Sequence, residues 1–136
     1  MKKITHILML ILWLLIIFQF SNENGTVSSS KSDTVTIKII GDKSYFKSAT
    51  KVIRKFAHLS EYAILTVLMY ITVCDYTINK KYIFTLLLTY LCSVLDEIHQ
   101  LFILYRSGSF VDVTIDSLAI LITLSIIILR KKEVRD

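Results

Sequence analysis

Residues 4–20 read ITHILMLILWLLIIFQF, a run in which His6 is the one ionisable side chain. An α-helix rises 1.5 Å per residue, so crossing a hydrocarbon core of about 30 Å takes roughly 17–25 apolar residues. This run is long enough. Three more apolar blocks follow: Phe56–Val73, Tyr82–Leu95 with an extension to Tyr105, and Val111–Leu129. Four such blocks in 136 residues leave no room for a separate soluble domain. The expected fold is all-α: one polytopic membrane helix bundle over residues 1–136, with transmembrane helices at about 4–20, 56–74, 82–103 and 111–129.

Composition agrees with that reading. The chain is 54% hydrophobic and 20% charged, with a mean hydropathy of +0.60. These values exclude a soluble enzyme, a disulfide scaffold and a disordered chain. Cys74 and Cys92 lie in or at the end of apolar blocks and are expected to be reduced and unpaired. Met1-Lys2-Lys3 before an apolar run looks like the start of a signal peptide, but Ser21-Asn22-Glu23 is a poor cleavage site. The first block is read as a retained helix. The net charge of +5 comes from lysines and arginines that flank the blocks. That placement suits lipid headgroups rather than nucleic acid.

One long connection separates the first two blocks. Ser21–Thr34 is polar, and Val35-Thr36-Ile37-Lys38-Ile39 alternates as an extended stretch would. From Ser44 the period becomes helical. Phe46, Ala49, Ile53 and Phe56 form one stripe, and Lys43, Lys47, Lys51 and Lys55 form another. This is an interfacial amphipathic helix leading into the second span, or else a basic extension of that span. Asn79-Lys80-Lys81 forms a tight turn, and Arg106-Ser107-Gly108-Ser109 turns between the last two helices. The 16 lysines and arginines divide evenly between the two sides. Those on the terminal side abut helix ends directly, which places both termini in the cytoplasm.

Charges inside spans cost about 2.5–3.5 kcal/mol each on insertion scales, yet this chain carries many. Arg54, His58 and Glu61 share a helical face at the start of helix two, with Tyr62 beside them. Asp96, His99 and Gln100 share a face at the end of helix three, and Glu97 is expected to point a quarter-turn away. Asp112 and Asp116 open helix four, just after Arg106. Up-down topology brings these three segments to one side of the membrane. Glu61, Asp96, Glu97, Asp112 and Asp116 make up five of the chain's 11 acids. The expectation is a polar pocket opening to the outer face. His58, Glu61, Asp96, Glu97 and His99 are the candidate catalytic groups, as acid–base residues or metal ligands. A divalent metal fits such residue types, but no H-E-x-x-H or other established metal spacing is present. Arg54 and Arg106 suit a phosphate or carboxylate. A structural ion-pair network would use the same residues. His6 reads as an interfacial or packed histidine, and Trp13 as packing or lipid-facing.

Arg54-Lys55-x-x-His58-x-x-Glu61-Tyr62, Asp96-Glu97-x-His99-Gln100-x-Phe102, and Arg106-Ser107-Gly108 followed by Asp112 and Asp116 resemble the motifs of the VanZ-like family of bacterial membrane proteins. The resemblance runs from about residue 10 to residue 125 and includes the Phe20-Ser21 end of helix one. Two departures are visible. The family often has proline or glycine before the arginine matching Arg106, where this chain has Leu104-Tyr105. Small glycines early in helix four are replaced by Ser117 and Ala119. The resemblance implies a multi-pass protein of the bacterial cell membrane. Its founding member gives low-level resistance to teicoplanin, a lipid-bearing glycopeptide, and the family also occurs outside resistance clusters.

Three functions follow as expectations. The first is an envelope or glycopeptide-resistance protein whose outward pocket binds an amphiphilic or lipid-linked ligand. Arg54, His58, Glu61, Tyr62, Asp96, Glu97, His99, Gln100, Arg106, Asp112 and Asp116 would form that pocket. Its partners are membrane lipids and a lipid-linked cell-wall precursor or lipoglycopeptide. The second is an integral membrane enzyme. The third is a structural or partner-binding bundle. For topology, cysteines introduced at Ser29 and Gly108 are expected to react with impermeant reagents outside the cell, and one at Lys131 is not. The reverse labelling pattern would place the pocket in the cytoplasm.

Overall fold

The computed structural model describes residues 2–22, 30, 33–34, 46–76, 79–104 and 109–133, without the side chains of 46–51, 54, 132 and 133. Among the described residues there are four long helices and no strand: α1 (Lys2–Ser21), α2 (Phe46–Tyr76), α3 (Lys81–Gln100) and α4 (Phe110–Glu133). The chain contains no proline, so every interior N–H can donate within its own helix. That matters in a bilayer, where water cannot satisfy an exposed backbone group. Lys2–Ser21, Lys55–Tyr76, Lys81–Gln100 and Phe110–Lys131 are each long and apolar enough to cross a membrane.

The helical segment expected ahead of the second span is present, and it is continuous with that span. α2 has 31 residues. The extended stretch at 35–39 and the Lys43 end of the basic stripe lie outside the described residues. α3 stops at Gln100 because the chain tightens there: the N–H groups of Leu101, Phe102 and Ile103 bond three residues back at 3.2, 3.0 and 3.2 Å. At the other end of α3, Lys80 takes the left-handed conformation (φ 59°) that reverses the chain after α2.

α2 is the central element. It packs on α4, α3 and α1, and α4 also packs on α3, whereas α1 touches α3 only lightly. Ile17, Tyr62, Leu65, Ala119, Ile120 and Leu124 form the apolar core between them. Met69, Tyr70 and Val73 are buried further along α2, and much of the remaining interior is polar. On α3 the buried positions are Thr85, Thr89, Ser93, Glu97 and Gln100, one stripe at near-four-residue spacing. Leu87, Leu88, Leu91, Leu95 and Ile98 point outward. A helix in water would bury the leucines and expose the hydroxyls. The inverted arrangement suits a lipid exterior, where small and hydroxyl side chains mediate helix contact.

The two ends of the bundle differ. At the end carrying the termini and the α2–α3 turn, His6 Nδ1 lies 2.7 Å from Asp75 Oδ2. Lys3, Lys131 and Lys81 sit over the rings of Tyr76, Tyr70 and Tyr82 at 5.0, 5.1 and 5.5 Å. Tyr70 and Tyr82 stack on each other with centroids 5.6 Å apart. The opposite end holds Glu61, Asp96, Glu97, Asp112 and Asp116. Ala119 is almost fully buried, so Ala119→Phe should overpack the contact and cost about 1–3 kcal/mol. Leu121→Phe, on the exposed face of the same helix, should be near neutral. Thermal unfolding in detergent checks the pair.

Candidate functional site

The functional side chains come from the last turns of α3, the first turns of α4 and the middle of α2. The second half of α3 delivers Asp96, Glu97, His99 and Gln100, the first turns of α4 deliver Asp112 and Asp116, and α2 delivers His58, Glu61 and Tyr62 at the same depth. Ser109 fixes where α4 begins. Its Oγ accepts the N–H of Val111 at 3.2 Å, and its carbonyl accepts Asp112 N–H at 2.9 Å. This is an N-cap. Its own N–H donates to Glu97 Oε2 at 2.7 Å. The Glu97 carboxylate is thus held against the start of α4, where the helix dipole favours a negative charge.

The expected residues fall into two adjoining groups. The first lies between α2, α3 and α4. His58, Glu97 and Asp116 are all buried, and one ligand-type atom from each lies within 4.8 Å of the others. His58 Nδ1 is 3.8 Å from Asp116 Oδ1. Asp116 Oδ2 accepts the Ser93 hydroxyl at 2.8 Å. Asp112 is buried in the first turn of α4.

The second group faces α1. A cavity of about 300 Å³ is walled by Leu14, Ile17, Phe18, Leu65, Leu95 and Cys92, and by the polar residues Tyr62, Asp96 and His99. The His99 ring stacks on Phe18 with centroids 4.9 Å apart and planes at 29°. Asp96 Oδ2 accepts Gln100 Nε2 at 2.9 Å. Among the described residues, the Tyr62 hydroxyl, His99 Nε2 and Gln100 Oε1 are buried and have no hydrogen-bond partner. Buried polar atoms without a partner are uncommon, and three at one end of a bundle mark a place built to receive one. Glu61 is half-buried, and its backbone carbonyl accepts Trp13 Nε1 at 3.1 Å, which makes Trp13 a packing residue.

Asp96 and His99 share the face that lines the cavity beside α1, and Glu97 points away from them into the three-helix cluster, as the spacing predicts. Gln100 lies between the two faces: it is buried on the innermost stripe with Glu97 and bonds Asp96. The buried face of α3 is set by Thr85, Thr89 and Ser93, and Glu97 continues their four-residue spacing. The side chain of Arg54, and Arg106 altogether, lie outside the described residues. The structure adds Ser93, Ser109 and Phe18 to the site. Ser93 was legible as the step before Glu97 on the hydroxyl stripe. Ser109 and Phe18 depend on which segments meet in space and left no comparable signal. Cys74 and Cys92 are both free thiols.

A family model described as VanZ/LLP1 matches residues 6–131, nearly the whole chain. No curated protein and no solved structure matches it. In the Ser93–Asp116 contact, a double-mutant cycle of Ser93→Ala and Asp116→Asn should show coupling of about 0.6–1.7 kcal/mol, the range of hydrogen bonds between membrane helices. The same cycle between Ser93→Ala and Asp96→Asn should show none.

Proposed function

The chain belongs to the VanZ/LLP1 family, and from that membership and the cavity beside Asp96 and His99 we propose that it is a cell-envelope protein that binds an amphiphilic, lipid-linked ligand. The carrying observation is the cavity itself. Its walls are mostly aliphatic and aromatic, while Tyr62, Asp96 and His99 gather polar groups in the same space. An acyl or isoprenoid chain would take the apolar part. A headgroup would meet the Tyr62 hydroxyl and His99 Nε2, which have no hydrogen-bond partner among the described residues. About 300 Å³ lies at the small end of ligand pockets and suits part of a lipid chain rather than a whole glycopeptide.

With both termini in the cytoplasm, this end of the bundle faces the cell wall. The ligand is then a lipid-linked wall precursor or a lipid-bearing glycopeptide, and the physiological readout is susceptibility to teicoplanin-type antibiotics. Arg54 and Arg106 are the candidate partners for a headgroup phosphate. A second reading, a membrane enzyme, rests on the His58–Glu97–Asp116 grouping, in which an imidazole and two carboxylates stand close enough for acid–base work.

Glu61→Gln, Asp96→Asn and His99→Gln are near-isosteric and remove charge or basicity. In cells whose teicoplanin susceptibility responds to this protein, each should abolish the response at normal membrane abundance. Leu14→Trp, which fills the cavity, should do the same. Retention of the response by all four variants contradicts the binding reading. Loss that only tracks abundance supports a structural network, since breaking a buried ion pair can itself cost about 3–5 kcal/mol.

A further inference from the structure

His58, Glu97 and Asp116 come from three different helices and are all buried. No sequence spacing joins them, which is why no local metal motif announces them. Each offers one ligand-type atom, and the three atoms lie within 4.8 Å of one another. In a tetrahedral site with bonds of about 2.0–2.2 Å, ligand atoms stand about 3.4 Å apart. A cation would therefore draw each atom inward by about 1 Å at most. The 3.8 Å from His58 Nδ1 to Asp116 Oδ1 is already close to that edge.

A second, independent observation concerns Asp116. Its side chain is fully buried. Oδ2 accepts the Ser93 hydroxyl, while Oδ1 accepts no hydrogen bond among the described residues. At 3.8 Å from His58 Nδ1 it is beyond hydrogen-bond reach. A structural His–Asp pair would close that gap, as His6 and Asp75 do at 2.7 Å in the same molecule. One oxygen anchored by a hydroxyl and the other facing an imidazole and a second carboxylate is the disposition of a metal ligand with its outer-shell support.

We propose that His58, Glu97 and Asp116 form a binding site for a divalent transition-metal cation such as Zn²⁺ or Mn²⁺. One imidazole with two carboxylates favours these ions over Mg²⁺ and Ca²⁺, which take oxygen ligands. Three protein ligands leave a coordination position for water or an anionic group. The site does not depend on the amphiphile reading, because Asp96 and His99 of the cavity are not in the ligand set.

The test uses the full chain purified in detergent, stripped with chelator, then titrated with Zn²⁺ or Mn²⁺ alone. The expected result is one ion per chain. Binding should weaken more than about 100-fold, beyond the loss of an outer-shell partner, in His58→Ala, Glu97→Gln and Asp116→Asn that keep a wild-type helical spectrum. Where His58→Ala does not fold, the near-isosteric Asp116→Asn decides. His6→Ala, at the other end of the bundle, should bind as wild type. X-ray absorption of the Zn²⁺ form should show nitrogen and oxygen ligands. The proposal is overturned if the folded wild type binds neither ion stoichiometrically, if all three variants bind normally, if Mg²⁺ or Ca²⁺ is preferred, or if sulfur enters the shell.

Discussion

Everything in this bundle depends on where α3 puts its hydroxyl and carboxamide face. With lipid outside, burying leucine gains little, and helices associate through close packing and hydrogen bonds. Thr85, Thr89, Ser93, Glu97 and Gln100 therefore point inward. The threonines satisfy themselves within the helix: Thr85 donates to Lys81 O and Thr89 to Thr85 O, both at 2.8 Å. Ser93 departs from that habit and reaches across to Asp116 on α4. From there toward the helix end, the stripe stops being self-contained and engages other helices. The polar site is the continuation of the seam that packs the bundle.

The two ends then divide the work. At the end with the termini, lysines lie over tyrosine rings and His6 pairs closely with Asp75. The Tyr70 hydroxyl is the buried polar atom left without a hydrogen bond there among the described residues. At the other end, the Tyr62 hydroxyl, His99 Nε2, Gln100 Oε1 and Asp116 Oδ1 are buried without a hydrogen bond among the described residues. Four such atoms gather at this end, against the Tyr70 hydroxyl at the other among the described residues, and they give this end the greater capacity for recognition. The two polar groups of that end are contiguous along α3, since Asp96 faces the cavity and Glu97, the next residue, faces the three-helix cluster.

Much of this was legible in the sequence. Four apolar blocks without proline fixed the number and kind of elements, because length against bilayer thickness leaves few alternatives. Up-down topology also indicated that Glu61, Asp96, Glu97, Asp112 and Asp116 approach one end. Rotation about each helix axis was harder to read. Asp96 and His99 share a face with Glu97 turned away, as their spacing indicates, but the innermost face is set by the small hydroxyl residues a turn or more earlier, which put Glu97 inside. Charge was the louder signal and Thr85, Thr89 and Ser93 the governing one. The capping of α4 by Ser109 and its tie to Glu97 needed two segments to meet in space, as did the stacking of Phe18 on His99.

The central claim is that α2 and α4 meet through the polar faces bearing His58 and Asp116. Paired-cysteine cross-linking in native membranes tests it most directly, on a chain with Cys74 and Cys92 replaced by alanine. A short thiol-to-thiol reagent should join cysteines at positions 58 and 116 efficiently. It should not join cysteines at 64 and 118, where Ile64 and Leu118 face outward. Efficient joining of the outward pair, with none at 58 and 116, would mean that α2 or α4 is rotated and that the buried polar cluster does not exist.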